Sequence, residues 1–146
     1  MVRARPRPFV DTNVFFSGLH SSGSPPSRIL QLHAEGRIQI VISRQVLMEL
    51  VSTFRSKLPE ALPALQDFLT SAPPEICSDP TTEETQQARS WINTTDAPIL
   101  AAALKSGADC LVTGNTRHFT PRVAERARIR ILAPTEYVET LPQEHV

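Results

Sequence analysis

Two hydrophobic periods alternate along this chain: short apolar runs of strand type, and longer segments whose apolar residues recur at helical spacing. Phe9-Val10 ends a short first strand at Asp11, kept to a few residues by Pro6 and Pro8, which donate no ladder hydrogen bond. Residues 22–26 form a turn. Pro25-Pro26 then open a helix through Ile29, Leu30 and Leu32 that stops at Gly36. The β-branched run 38–42 predicts a second strand, and Ser43 caps a helix with Val46, Leu47, Leu50, Val51 and Phe54 on one face. Residues 59–71 predict a helix with Leu62, Leu65, Phe68 and Leu69 inward, 74–77 a short third strand, and 82–91 a helix with an acidic first turn. Asp96-Ala97-Pro98 has the form of a helix start, with Asp96 near the N-cap, and that helix stops at Gly107. A fourth strand over 109–113, a fifth over 128–132 and a closing helix over 134–141 complete the pattern. Strands that alternate with helices in this way predict an α/β fold around a mostly parallel sheet.

Composition narrows the picture. The chain has 146 residues, 40% hydrophobic and 21% charged, which suits one globular domain with one substantial core. Aromatics at 5% argue against a base-stacking platform. Net charge is zero and the pI about 6.9, so the basic signature usual in nucleic-acid binders is absent. Cys77 and Cys110 lack zinc-ligand spacing and are expected as reduced thiols. No apolar run approaches the roughly 20 residues that span a bilayer, and no signal-type stretch follows the basic N-terminus. A cytoplasmic protein without a membrane segment is expected.

The candidate chemistry lies in acids that this fold would bring together. Ligands bind open α/β sheets at the carboxyl ends of the strands. Asp11 ends the first strand there, and helices linking parallel strands begin at that same edge, which places Asp96 beside it. Glu49 lies about 60° off the Val46 edge of its helix's apolar stripe, a flank able to face a crevice. Asn115 follows the fourth strand through Thr113-Gly114. If the chain doubles back after the third strand, the first and fourth strands become neighbours and the crevice opens between Asp11 and Asn115. Asp109 starts the strand that Thr113 ends, ~13 Å from this edge, and reads as a strand-entry residue. Two unit charges 5 Å apart repel by roughly 3 kcal/mol at an effective dielectric near 20, so three carboxylates in one pocket call for a cation. Hard oxygen donors, few in number, suit Mg²⁺ or Mn²⁺ and phosphodiester hydrolysis.

Val10-Asp11-Thr12-Asn13, Glu49, Asp96-Ala97-Pro98-Ile99-Leu100-Ala101-Ala102-Ala103 and Leu111-Val112-Thr113-Gly114-Asn115-Thr116-Arg117-His118-Phe119 together resemble the PIN domain, in the toxin branch related to the VapC ribonucleases. The resemblance runs from about Phe9 to Leu141. It implies a three-layer α/β/α fold with a four- to five-stranded sheet. The implied layout is a basic extension over 1–8, the PIN domain over 9–141 and a tail over 142–146. The implied activity is that of a metal-dependent ribonuclease acting on RNA, often homodimeric and often held inactive by an antitoxin. Asp11, Glu49 and Asp96 match the three central acidic positions. Asn115 stands where the fourth is often Asp, and its amide oxygen coordinates without supplying charge. Thr12, Asn13 and Thr113 match positions that orient the carboxylates by hydrogen bonds.

Other readings stay open at single residues. Arg117 and His118 are candidates for contacting RNA or are solvated loop residues, and His20, His33 and His145 have no evident partner. Arg126, Arg128 and Arg130 alternate with Ala127, Ile129 and Ile131. That pattern fits a basic stripe along an RNA backbone or, more simply, an edge strand guarded by charge. Arg3, Arg5 and Arg7 carry the same ambiguity. A degenerate, non-catalytic PIN fold that binds RNA or protein is the principal rival function. An aspartyl-phosphate enzyme is disfavoured, because position 13 is Asn and Lys57 and Lys105 are poorly placed.

Overall fold

The structure, a computed structural model, describes residues 5–142. Arg3, His145 and residues 143–146 of the tail lie outside that range. The strands are β1 Pro8–Val10, β2 Val41–Ile42, β3 Glu75–Ile76, β4 Cys110–Val112 and β5 Ile131–Leu132. They form one parallel sheet in the order β3-β2-β1-β4-β5, so the chain doubles back after β3 and sets β4 beside β1. The helices are α1 Thr12–His20, α2 Pro25–Ala34, α3 Arg44–Lys57, α4 Leu62–Ser71, α5 Thr82–Arg89, α6 Ala97–Ser106, α7 Pro121–Ala127 and α8 Pro134–Thr140. They flank the sheet in a three-layer α/β/α arrangement.

Burial explains why the central strands read as unbroken apolar runs. Phe9, Val10, Leu111 and Val112 are fully buried, as strands covered on both faces must be. Most of α6 is also buried, and Ala97, Ala101, Ala102 and Ala103 let it pack closely against the sheet.

Three helical segments differ from expectation. Residues 12–20 form α1, with Val14, Phe15 and Gly18 buried at helical spacing. A β-carbon at Gly18 would lie 2.6 Å from Leu30 Cδ1 and 3.0 Å from the Pro26 carbonyl oxygen, so glycine permits the close crossing of α1 and α2. Glycine and aromatic residues give this segment weak intrinsic helicity, and packing overrides it. Residues 121–127 form α7, capped by Thr120 Oγ1, which accepts from Val123 N–H at 3.3 Å. The expected edge strand through Arg126, Arg128 and Arg130 is therefore wrong. Arg126 is helical, Arg128 takes a left-handed φ of 57°, and the strand is only Ile131–Leu132. The helix expected over 59–71 is divided into a 3₁₀ turn Pro59–Ala61 and α4, because Pro63 has no N–H to continue an α-helix.

His33, left without a partner by the sequence, is buried and satisfied at both ring nitrogens. Nδ1 accepts from Ile40 N–H at 3.1 Å, and Nε2–H donates to the Ala72 carbonyl at 2.8 Å. These bonds require the neutral Nε2–H tautomer and join α2 to the start of the second strand segment and the end of α4. Arg7 also belongs to the folded body: Nε and Nη2 donate to the two Glu75 carboxylate oxygens at 3.1 and 2.6 Å, tying the entry of β1 to β3. Replacing His33 by Ala removes a packed ring and strands two backbone groups. It is expected to cost about 2–4 kcal/mol in urea unfolding. A loss within experimental error would show that the ring is not a structural clamp.

Candidate active site

The carboxyl edge between β1 and β4 is built around Asp11. This residue ends the buried strand β1 and caps α1, where its Oδ1 accepts from Thr12 N–H at 2.8 Å. Its Oδ2 accepts from the Thr113 hydroxyl at 2.9 Å and from Asn13 Nδ2 at 3.2 Å. Thr113, fully buried at the end of β4, also accepts the Asn115 backbone N–H at 3.0 Å. Asn13 Oδ1 accepts Gly114 N–H at 2.7 Å, and a β-carbon at Gly114 would lie 3.1 Å from that oxygen. Thr12, Asn13 and Thr113 thus fix both oxygens of one carboxylate while closing the seam between α1 and β4.

The other acids arrive from separate elements. Glu49 stands on the exposed flank of α3, held by Thr12 Oγ1 donating to Oε2 at 3.1 Å and Gln45 Nε2 donating to Oε1 at 3.0 Å. Asp96 precedes α6, and its side chain does not cap that helix. Instead Oδ2 accepts from Asn93 Nδ2 at 2.7 Å, and Asp96 N–H donates to Asn93 Oδ1 at 3.0 Å, a reciprocal pair that turns the carboxylate outward from the helix. His118 Nδ1 lies 3.0 Å from the same Oδ2, and Asn115 Nδ2 lies 3.4 Å from that Nδ1.

Asp11 is 7% exposed, and burial is the largest influence pushing its carboxyl above the ordinary value. The bonds from Thr113 and Thr12 pull it down, and the charges of Glu49 and Asp96 push it up again. Glu49 and Asp96 are therefore near enough to act on the buried Asp11 carboxylate across the edge. Both Asp11 and Asp96 sit at helix N-termini, whose partial positive charge offsets part of the repulsion. Among the described residues, no three His, Cys, Asp or Glu side chains are close enough to form a complete metal-ligand cluster. The chemistry of the set nevertheless fits a hard cation: a buried oxygen donor flanked by two more, all hydrogen-bonded for orientation. Beside Glu49 a groove of about 740 Å³ opens, lined among others by Arg44, Gln45, Met48, Ser52, Pro80 and Pro98.

The sequence missed Asn93 and Gln45, both of which hold an acid. Their signals were local: an Asn three residues before Asp96, and a Gln one helical turn before Glu49. Arg117, by contrast, is exposed beside this network and makes no ion pair with it.

The PIN-domain family profile matches residues 7–117. This chain belongs to the PIN domain family. No curated protein sequence matches it. Solved structures share the fold at low sequence identity. A chain of VapBC2 from Rickettsia felis, bound to a DNA fragment from its promoter, superposes with a TM-score of 0.63 at 24% identity, covering 86% of this chain and 96% of that one. PAE2754 from Pyrobaculum aerophilum gives 0.60 at 16% identity, covering 92% and 88%. A chain of FitAB bound to the IR36 DNA fragment gives 0.61 at 17%, covering 94% and 99%. PIN domains are in general nucleases.

A pH test follows from the buried acid. Because folding raises the Asp11 pKa above 3.8, the folded state holds that proton more tightly than the unfolded chain. The Asp11 contribution is most favourable below 3.8 and declines as pH rises through the folded value. In EDTA, the stability of wild type relative to Asp11→Asn should fall as pH rises above 3.8, read by urea unfolding. A difference that does not change with rising pH would contradict the assignment of a penalised carboxylate.

Proposed function

We propose that this PIN domain, spanning residues 9–141, is a divalent-metal-dependent endoribonuclease that hydrolyses RNA phosphodiester bonds. We assign it as the toxin of a toxin–antitoxin pair that works in the cytoplasm as a homodimer. The observation that carries the catalytic reading is the Asp11 carboxylate: buried, hydrogen-bonded at both oxygens, and further raised by two acids from α3 and the start of α6. Stability alone does not favour such an arrangement, since each added carboxylate raises the cost of ionising the others. The toxin reading draws on the likeness to chains of VapBC2 and FitAB, both solved with DNA.

Asp11, Glu49 and Asp96 would hold Mg²⁺ or Mn²⁺. Bound there, the ion supplies an activated water and neutralises charge on the phosphate. The chain's own residues supply orientation. Thr113 and Asn13 hold Asp11 Oδ2, Thr12 aims Glu49, and Asn93 with His118 aims Asp96. Asn115 lies at the same edge with an amide in place of a fourth carboxylate, which favours one tightly held ion over two. Arg117, exposed next to His118, would meet a phosphate of the bound strand.

The test is cleavage of single-stranded RNA with Mn²⁺. Wild type should cleave, and Asp96→Asn should lose activity by at least about 100-fold, since even outer-shell changes at metal sites cost 10–100-fold. Equal activity in both proteins would remove Asp96 from the site. The absent fourth carboxylate favours one rival, a non-catalytic PIN fold. RNA binding by wild type without cleavage at millimolar Mn²⁺ would establish it.

A further inference from the structure

We propose that the exposed arginines of α7 form a track for the phosphate backbone of the single-stranded RNA, leading away from the cleavage site; this rests on the ribonuclease reading above. The chain is neutral overall, yet five of its thirteen arginines fall between positions 117 and 130, with Glu125 the only acid in that stretch. The charge is segregated where the net value conceals it. Arg117, Arg122, Arg126 and Arg128 are exposed and make no ion pair among the described residues.

The fold sets these side chains in order. The loop after β4 carries His118 against Asp96, with Arg117 beside it. Phe119, Val123 and Ala127 bury one stripe of the segment that follows. Arg122 and Arg126, four apart, share one exposed face of α7 and stand ~6 Å apart along its axis. Since α7 returns from the carboxyl edge toward the start of β5, the arginines run from the acids down one side of the molecule.

Stability accounts for Arg126, a cation in the last turn of α7, but not for its neighbours. Arg122 lies in the first turn of α7, where a cation opposes the positive end of the helix. Arg128 is the only non-glycine residue with positive φ among the described residues, a position that suits glycine better and is only partly offset by its place at the helix C-terminus. The edge-strand explanation has already failed, because Arg126 and Arg128 are not in a strand.

The test uses the full chain and a 5′-labelled oligouridylate, with binding read by anisotropy in EDTA over a range of salt. Compared with wild type, Arg122→Gln/Arg126→Gln should bind on the order of tenfold more weakly. Its log–log salt slope should be shallower by about 1.4, the share of two phosphate contacts on a single strand. A matched deoxyoligonucleotide that shows the same loss would support recognition through phosphate. An unchanged slope and affinity would overturn the track, as would loss confined to an acidic peptide probe. Cleavage of the same RNA by wild type with Mn²⁺, run in parallel, reports separately on the ribonuclease reading: no cleavage with a steep, arginine-dependent slope defeats that reading and leaves the track standing.

Discussion

A carboxylate buried at the end of a fully covered strand is the constraint around which this edge is organised. The backbone of Asp11 is fixed at this edge: its N–H donates to the Val112 carbonyl at 3.0 Å and its carbonyl accepts from Val14 N–H at 3.1 Å. The chain answers with donors from three directions, the Thr12 amide, the Asn13 amide group and the Thr113 hydroxyl. The same contacts hold α1 to β4. Fold and site are thus one structure here, and weakening the support of Asp11 would loosen both.

Electrostatics then separates what the fold needs from what it merely tolerates. Donors to Asp11 favour its ionised form, while burial and the neighbouring Glu49 and Asp96 oppose it. Each of those acids has its own tether, Gln45 and Thr12 for Glu49, Asn93 and His118 for Asp96. Side chains that merely coexisted would relax apart into solvent. Holding Glu49 and Asp96 where they penalise the buried Asp11 carboxylate has a reason if positive charge is bound beside them. The arginines of α7 extend that logic: acidic side chains stand at the carboxyl edge and positive charge along the proposed path of the strand.

Much of this was legible in the chain. The βαβ rhythm predicted a parallel sheet, the doubling back posed as a condition is the one the sheet order shows, and the burial of Phe9, Val10, Leu111 and Val112 matches their unbroken apolar runs. Asp11 and Asp96 could be assigned to the carboxyl edge because strand ends and helix starts have fixed places in a parallel sheet, and Glu49 was proposed from its flank of the second helix. What escaped had weak local signals. α1 contains Gly18 and two adjacent phenylalanines, and it forms because α2 packs against it. α7 was obscured by alternating arginines that imitate an edge strand. Asp96 has the spacing of a capping residue, yet Asn93 competes for its side chain. His33 gave no periodic sign of the two backbone groups it joins.

The central claim is that the three carboxylates form one cation-seeking set, and thermal unfolding in Mn²⁺ tests it without relying on activity. Saturating Mn²⁺ should raise the wild-type midpoint by at least about 5 °C, from the linkage of ion binding to folding, and raise that of Asp11→Asn far less. No shift in wild type at millimolar Mn²⁺, or an equal shift in both proteins, would contradict the account.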